Sequence, residues 1–193
     1  MVADVGPRAR DLDFIHLGAG VNRVWWNLRY DAIKPAGDYV PWQGGGFRGP
    51  LAVPGRYIVR VTADGRVASG SVMVRKDPRS PASLAAMREQ LAFLLRVRRD
   101  LASLTSVIVH LRARAAGMPA KADAVNGLLH AIYNPEVTQG EDALRYPERV
   151  YGRLSALASD VAAADAAPTQ SEYAVLRVLE QRAKVLTARA GAM

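Results

Sequence analysis

The chain has 193 residues, half of them hydrophobic, and a formal net charge of +8. A chain of this size buries roughly 70% of its unfolded surface, enough for one domain or two small ones. It contains no cysteine, which excludes disulfides, thiolate metal sites and a cysteine nucleophile.

Arginine supplies all the positive charge except for Lys34, Lys76, Lys121 and Lys184. The basic residues are spread along the chain without a run of five or six like charges. That pattern describes a solvated surface and argues against nucleic acid, whose footprint clusters on one face. No apolar run approaches the ~18–20 residues that span a bilayer. The first residues, Met1-Val-Ala-Asp-Val-Gly-Pro-Arg8, lack the charged and apolar regions of a signal peptide. As written, the chain is expected to be cytoplasmic and off the membrane.

Taken in order, the first element is a strand. Val24, Trp26, Leu28 and Tyr30 alternate with Arg23, Trp25, Asn27 and Arg29, and period-two alternation means one buried face. A loop follows, built on Gly44-Gly45-Gly46 and the prolines at 35, 41, 50 and 54, residues that set chain direction. Tyr57, Val59 and Val61 then alternate with Ile58, Arg60 and Thr62. Asp64-Gly65 suits a two-residue type I′ hairpin turn. The return strand runs from Val67 to Val74, with Val72 and Val74 inward and Gly70 marking a bulge or bend.

Composition changes near residue 80, where Trp and most of the Gly give way to Ala, Leu and Arg, the residues that lose least on becoming helical. The domain boundary is therefore placed at Pro78–Pro81, giving units 1–79 and 80–193. Ser83 is the N-cap of a helix over 83–116, with Leu84, Met87, Leu91, Leu94, Val97, Leu101, Leu104, Ile108 and Leu111 as its seam. Gly117 and Pro119 end it. A short helix over about 120–133 stops at Asn134-Pro135. A third starts near Pro147, at a first-turn position, with Val150, Leu154, Leu157 and Val161 as its stripe. Thr169-Gln-Ser-Glu172 is a capping box for the fourth. Short connections make these helices an antiparallel hairpin or bundle.

Chemistry-bearing residues do not converge in this pattern. His16, His110 and His130 fall in separate segments without ligand spacing, which suits packing or surface roles. The carboxylates Glu89, Asp100, Glu141 and Asp142 read as helix-surface charge or dipole complements, with Asp142 capping the third helix or its approach. Gly18-Ala-Gly20 opens no helix and cradles no phosphate. No catalytic, metal or cofactor residue is assigned. The candidates for a ligand or partner surface are Trp25 and Trp42, which can stack on sugar rings or anchor a partner, and Arg96 and Arg99. The last two belong to a cluster, Arg96-Val-Arg-Arg99 with Arg88, Arg112 and Arg114, along one side of the long helix.

Several stretches together resemble one module: Asn22-Arg-Val-Trp-Trp-Asn-Leu-Arg-Tyr30, Pro54-Gly-Arg-Tyr57, Val74-Arg-Lys-Asp-Pro-Arg79, Asn134-Pro135 with Leu144-Arg-Tyr-Pro147, and Ser159 to Thr169. It is the C-terminal region of bacterial sortilin-type, BNR-repeat β-propeller proteins, often labelled glycosyl hydrolases. The resemblance covers roughly residues 2–190 and implies an Ig-like sandwich followed by a helical tail, here without the propeller. It carries over no catalytic residue, since the hydrolase label rests on the propeller, and it implies export where an upstream start exists.

The expected fold is thus α+β: a small, N-terminally clipped Ig-like antiparallel β-sandwich, then the helical hairpin or bundle. The expected function is a non-catalytic interaction module that binds a protein partner or a β-propeller, or self-associates through the open sheet edge. A fragment of a glycosidase or sialidase-like exported enzyme is the alternative, together with a carbohydrate- or polyanion-binding module.

Overall fold

The computed structural model describes residues 20, 21, 23, 25–41, 47–63, 65–117 and 122–193. Four helices carry the core: α1 (Leu84–Gly117), α2 (Ala122–Ile132), α3 (Val150–Val161) and α4 (Gln170–Gly191). At 1.5 Å per residue, α1 is about 51 Å long, and it packs against each of the other three. Met87, Phe93, Leu94, Val97, Leu101, Leu104, Ile108 and Leu111 are its buried stripe. From Leu94 onward the three- and four-residue steps place one row of side chains on one face.

Local signals explain where the helices begin. Ser83 Oγ accepts from the Ala86 amide at 3.1 Å. Thr169 and Glu172 exchange bonds, Glu172 N donating to Thr169 Oγ1 (3.2 Å) and Thr169 N to Glu172 Oε2 (2.5 Å). Each satisfies donors that a helix start leaves orphaned. Asp142 caps the approach to the third helix, one of the two places expected for it. Its Oδ2 accepts from the amides of Thr138 and Gln139 at 3.0 and 2.8 Å and so opens a 3₁₀ turn, Gly140–Leu144, ahead of α3.

The Ig-like β-sandwich does not form. Among the described residues there are two strands, β1 (Gly55–Ala63) and β2 (Arg66–Val74), in one antiparallel sheet. The Trp-bearing stretch fails as a strand because Leu28 sits at φ 59, in the left-handed region that breaks extended pairing. What remains among the described residues is one isolated bridge, Arg29 to Leu51. Trp26 is half-buried, turned back so that its Nε1 donates to Arg29 O at 3.1 Å. The hairpin ladder runs unbroken from Gly55↔Val74 to Ala63↔Arg66, and Val59 pairs with Gly70 without a bulge. Gly65, at φ 74, supplies the turn's left-handed residue; Asp64 lies outside the described residues.

Most of the segment before the hairpin belongs to the helical core. Ile33, Ala36, Tyr39 and Phe47 share one buried cluster with residues of all four helices. That cluster therefore draws on both sides of residue 80. Tyr39 lies 5.4 Å from Tyr151 and 5.9 Å from Tyr133, and Phe47 lies 5.1 Å from Tyr151, by ring centroid. Edge and tilted approaches of this kind add about 0.5–1.5 kcal/mol per pair beyond area burial. The Tyr151 hydroxyl accepts from the Ala36 amide at 3.2 Å and lies 2.6 Å from Thr105 Oγ1. Since Thr105 spends its own proton on Leu101 O at 2.8 Å, Tyr151 is the donor to Thr105. Among the described residues, no helix is long and apolar enough to cross a membrane.

Candidate functional site

The hairpin has two chemically different faces, because directly paired residues point to the same side. Tyr57, Val59 and Val61 share one face with Val72, Gly70 and Ala68, and among the described residues the only charge there is Arg66 at the tip. The opposite face carries Arg56, Ile58, Arg60 and Thr62 with Met73, Ser71, Ser69 and Val67. Residues expected to form a sandwich core are instead in solvent: Val59 is 49% exposed, Val61 55% and Val72 41%. The expected burial fails because, among the described residues, no second layer covers this sheet and neither strand contacts any helix.

Among the described residues, the hairpin is tied down at its base. Tyr57 meets Trp26 edge-on at 5.2 Å, and its hydroxyl donates to Val53 O at 2.6 Å. Burial raises the Tyr57 hydroxyl pKa, with Tyr30 adding to the shift. Beyond that point both strands present unpaired backbone edges, and an apolar, uncharged edge is a template for another strand.

Of the expected surface residues, Trp25 is strongly exposed, at 84%. Trp42 lies outside the described residues. Arg96 is bound to Glu180 of α4, with Nη2 2.9 Å from both carboxylate oxygens and Nε at 3.1 Å. Arg99 is exposed, its Nε 4.0 Å from Asp100 Oδ1. Both arginines line a shallow groove of about 470 Å³ between α1 and α4, with Asp100, Glu180 and Lys184. Two carboxylates against three cations make it nearly balanced and ill suited to a polyanion. Burial raises the Asp100 pKa, the nearby Glu180 charge adds to the rise, and Arg99 and Arg96 oppose it. Its Oδ2 takes no hydrogen bond from the described residues.

The supposed arginine stripe on α1 is divided among separate tasks. Arg98 donates to Asp31 O at 2.9 Å. Arg112 lies over the Tyr133 ring at 6.0 Å, and Arg114 donates to Met193 O at 2.7 Å. Helical geometry explains part of the split: around a 3.6-residue turn Arg96, Arg99 and Arg114 fall on one side of the helix, and Arg98 and Arg112 fall on the other. His130 pairs loosely with Glu136, Nδ1 to Oε2 at 3.7 Å. Among the described residues, no three His, Asp or Glu side chains gather to hold a metal ion.

These features define a four-helix core carrying an exposed β-hairpin arm. Comparison of the chain with protein-family models, curated proteins and solved structures finds no match.

Proposed function

We propose that the protein is a non-catalytic interaction module that associates through the apolar face and open edges of the β1–β2 hairpin. One observation carries this reading: a nine-residue by nine-residue hairpin that is exposed on both faces and apolar on one. A lone two-stranded hairpin is marginal in water, and three or more strands with an apolar face are needed for independent stability. A partner that adds strands or covers Val59, Val61 and Val72 supplies what the sheet lacks.

The simplest such partner is a second copy. Two hairpins joined about a two-fold axis make a four-stranded sheet or a stacked pair, each burying the same face. The arginines Arg56 and Arg60 sit on the opposite face and stay in water. The resemblance to the C-terminal region of sortilin-type propeller proteins supports the same class of function, with the propeller as the other candidate partner.

Light scattering of the full chain over a rising concentration series tests the proposal. Dimer formation that disappears in Val61→Lys, with the thermal midpoint unchanged, supports it. A monomer at every concentration removes self-association and leaves the propeller as the partner to test. Hydrolysis of a chromogenic glycoside panel by this chain alone overturns the non-catalytic reading.

A further inference from the structure

A second feature is independent of the hairpin. Arg29, Arg48 and Arg98 line one open cavity of about 180 Å³, closed by Gly49 and Pro50 on one side and by Ala158, Ser159 and Ala162 at the end of α3 on the other. Its lining contains no carboxylate. Among the described residues, none of the three guanidiniums takes part in an ion pair.

Two of them are held in place by backbone carbonyls and not by counter-charges. Arg29 Nη1 donates to Gly49 O at 3.0 Å, and Arg98 Nε donates to Asp31 O at 2.9 Å. The scaffold beneath is tight. Tyr30 N donates to Pro50 O at 2.9 Å and Ala52 N to Leu28 O at 2.7 Å. A Cβ on Gly49 would collide with the Tyr30 carbonyl, so only glycine lets the two segments close. Each anchored guanidinium spends one of its five N–H donors and keeps the rest fixed in direction.

Three like charges around one cavity repel one another unless something negative sits among them. The C-terminus of α3 provides roughly half a charge by its dipole. Its last carbonyl is already engaged, since Gln90 Nε2 donates to Val161 O at 2.6 Å. About two and a half positive charges are left, a match for a dianion. Guanidinium forks fit the oxygens of phosphate in bidentate pairs. At ~30 Å³ per water, the volume holds about six waters, which is room for one such group.

We propose that Arg29, Arg48 and Arg98 form a binding site for a phosphate-type oxyanion, either free phosphate or the phosphoryl group of a phosphorylated partner. Inorganic phosphate and O-phosphoserine titrated into the full chain at constant ionic strength, followed by calorimetry and phosphorus NMR line width, test it. Arg48 is exposed and makes no hydrogen bond or ion pair with the described residues, so Arg48→Gln should fold normally and bind at least tenfold more weakly. Arg98→Lys keeps the charge, loses the fork and should weaken binding several-fold. Arg153→Gln, outside this cavity, should bind as the parent does.

Tighter binding of phosphoserine assigns the site to a phosphorylated partner, and tighter binding of inorganic phosphate assigns it to the free ion. Equal binding by parent and Arg48→Gln overturns the proposal. So does stabilisation by acetate or chloride as strong as that by phosphate, or no saturable binding at all.

Discussion

The Tyr39 hydroxyl donates a 2.7 Å hydrogen bond to Glu148 Oε2, joining residues 109 positions apart, and Gly152 lies directly beneath the pair. A Cβ on Gly152 would collide with both the Glu148 carboxylate and the Tyr39 hydroxyl. The contact ties the N-terminal segment to the start of α3. Hydrogen bonds to charged groups contribute about 1.5–3 kcal/mol, so Tyr39→Phe should lower stability by about 1–2 kcal/mol, or about 2–8 °C at this chain length. Gly152→Ala should cost at least as much, because it displaces the pair and crowds the core. Urea and thermal melts of both variants check this.

Alkaline pH should destabilise the protein through the same cluster. Burial pushes the hydroxyl pKa values of Tyr39, Tyr151 and Tyr133 above the ordinary 10.0, with Glu148 adding to the rise at Tyr39. A folded-state pKa above the unfolded one means that the unfolded chain loses its protons first. The stabilisation is then complete below about pH 10 and falls away as pH climbs from there towards the folded values. Melting temperatures should be level up to about pH 9.5 and drop beyond it, and Tyr39→Phe should flatten the drop. Tyrosinate absorbance should lag behind free tyrosine until the fold opens.

Asp100 gives the opposite use of the same linkage. Its pKa is raised by burial and by Glu180, so the ionised form is disfavoured in the folded protein. Its contribution is most favourable below the unfolded pKa and is lost as pH rises through the folded one. Asp100→Asn should therefore raise the melting temperature at pH 7, with the gain shrinking to nothing as the pH falls into the range where Asp100 is protonated in both states. Paired melts at neutral and acid pH decide it. Equal gains at both would show that the carboxylate's charge is not the cause.

The hairpin should be separable from the stability of the core. Neither strand touches a helix, and surface changes away from buried networks fall within about 0.5 kcal/mol. Val61→Lys and Val72→Lys should thus leave the melting temperature unchanged and alter only association. Trp26→Ala should differ, because it removes the Tyr57 contact at the hairpin's base and loosens the arm. Hydrogen exchange of the β1 and β2 amides would show that loosening directly.

Periodicity made the helical part of this fold legible. The Ser83 cap, the Thr169–Glu172 box and the seam from Leu94 to Leu111 are local features and lie where the sequence indicates. At the start of the seam, by contrast, Leu84 is exposed, Leu91 is half-buried and Phe93, outside the expected seam, is buried. The hairpin register was equally legible, since Tyr57-Val59-Val61 and the Gly65 turn fix it within a few residues. Arg29, Arg48 and Arg98 were not legible as a group, because they come from three segments brought together only by packing. Tyr39 and Phe47 left one usable signal: aromatic residues in a Gly/Pro-rich loop must find burial somewhere.

The sequence by itself determined which segments become helix or hairpin, for these depend on residues within a turn or two of one another. Tertiary structure alone decided what packs on what. Alternation from Val24 to Tyr30 asks for a strand, but among the described residues no neighbouring sheet buries its inner face. Leu28 instead turns the chain, and Tyr39 and Phe47 are buried against Tyr133 and Tyr151. An apolar stripe states that a face must be covered, and it does not name the surface that covers it. For the segment before the hairpin that surface is the helical core. For the hairpin itself, none of the four helices supplies it.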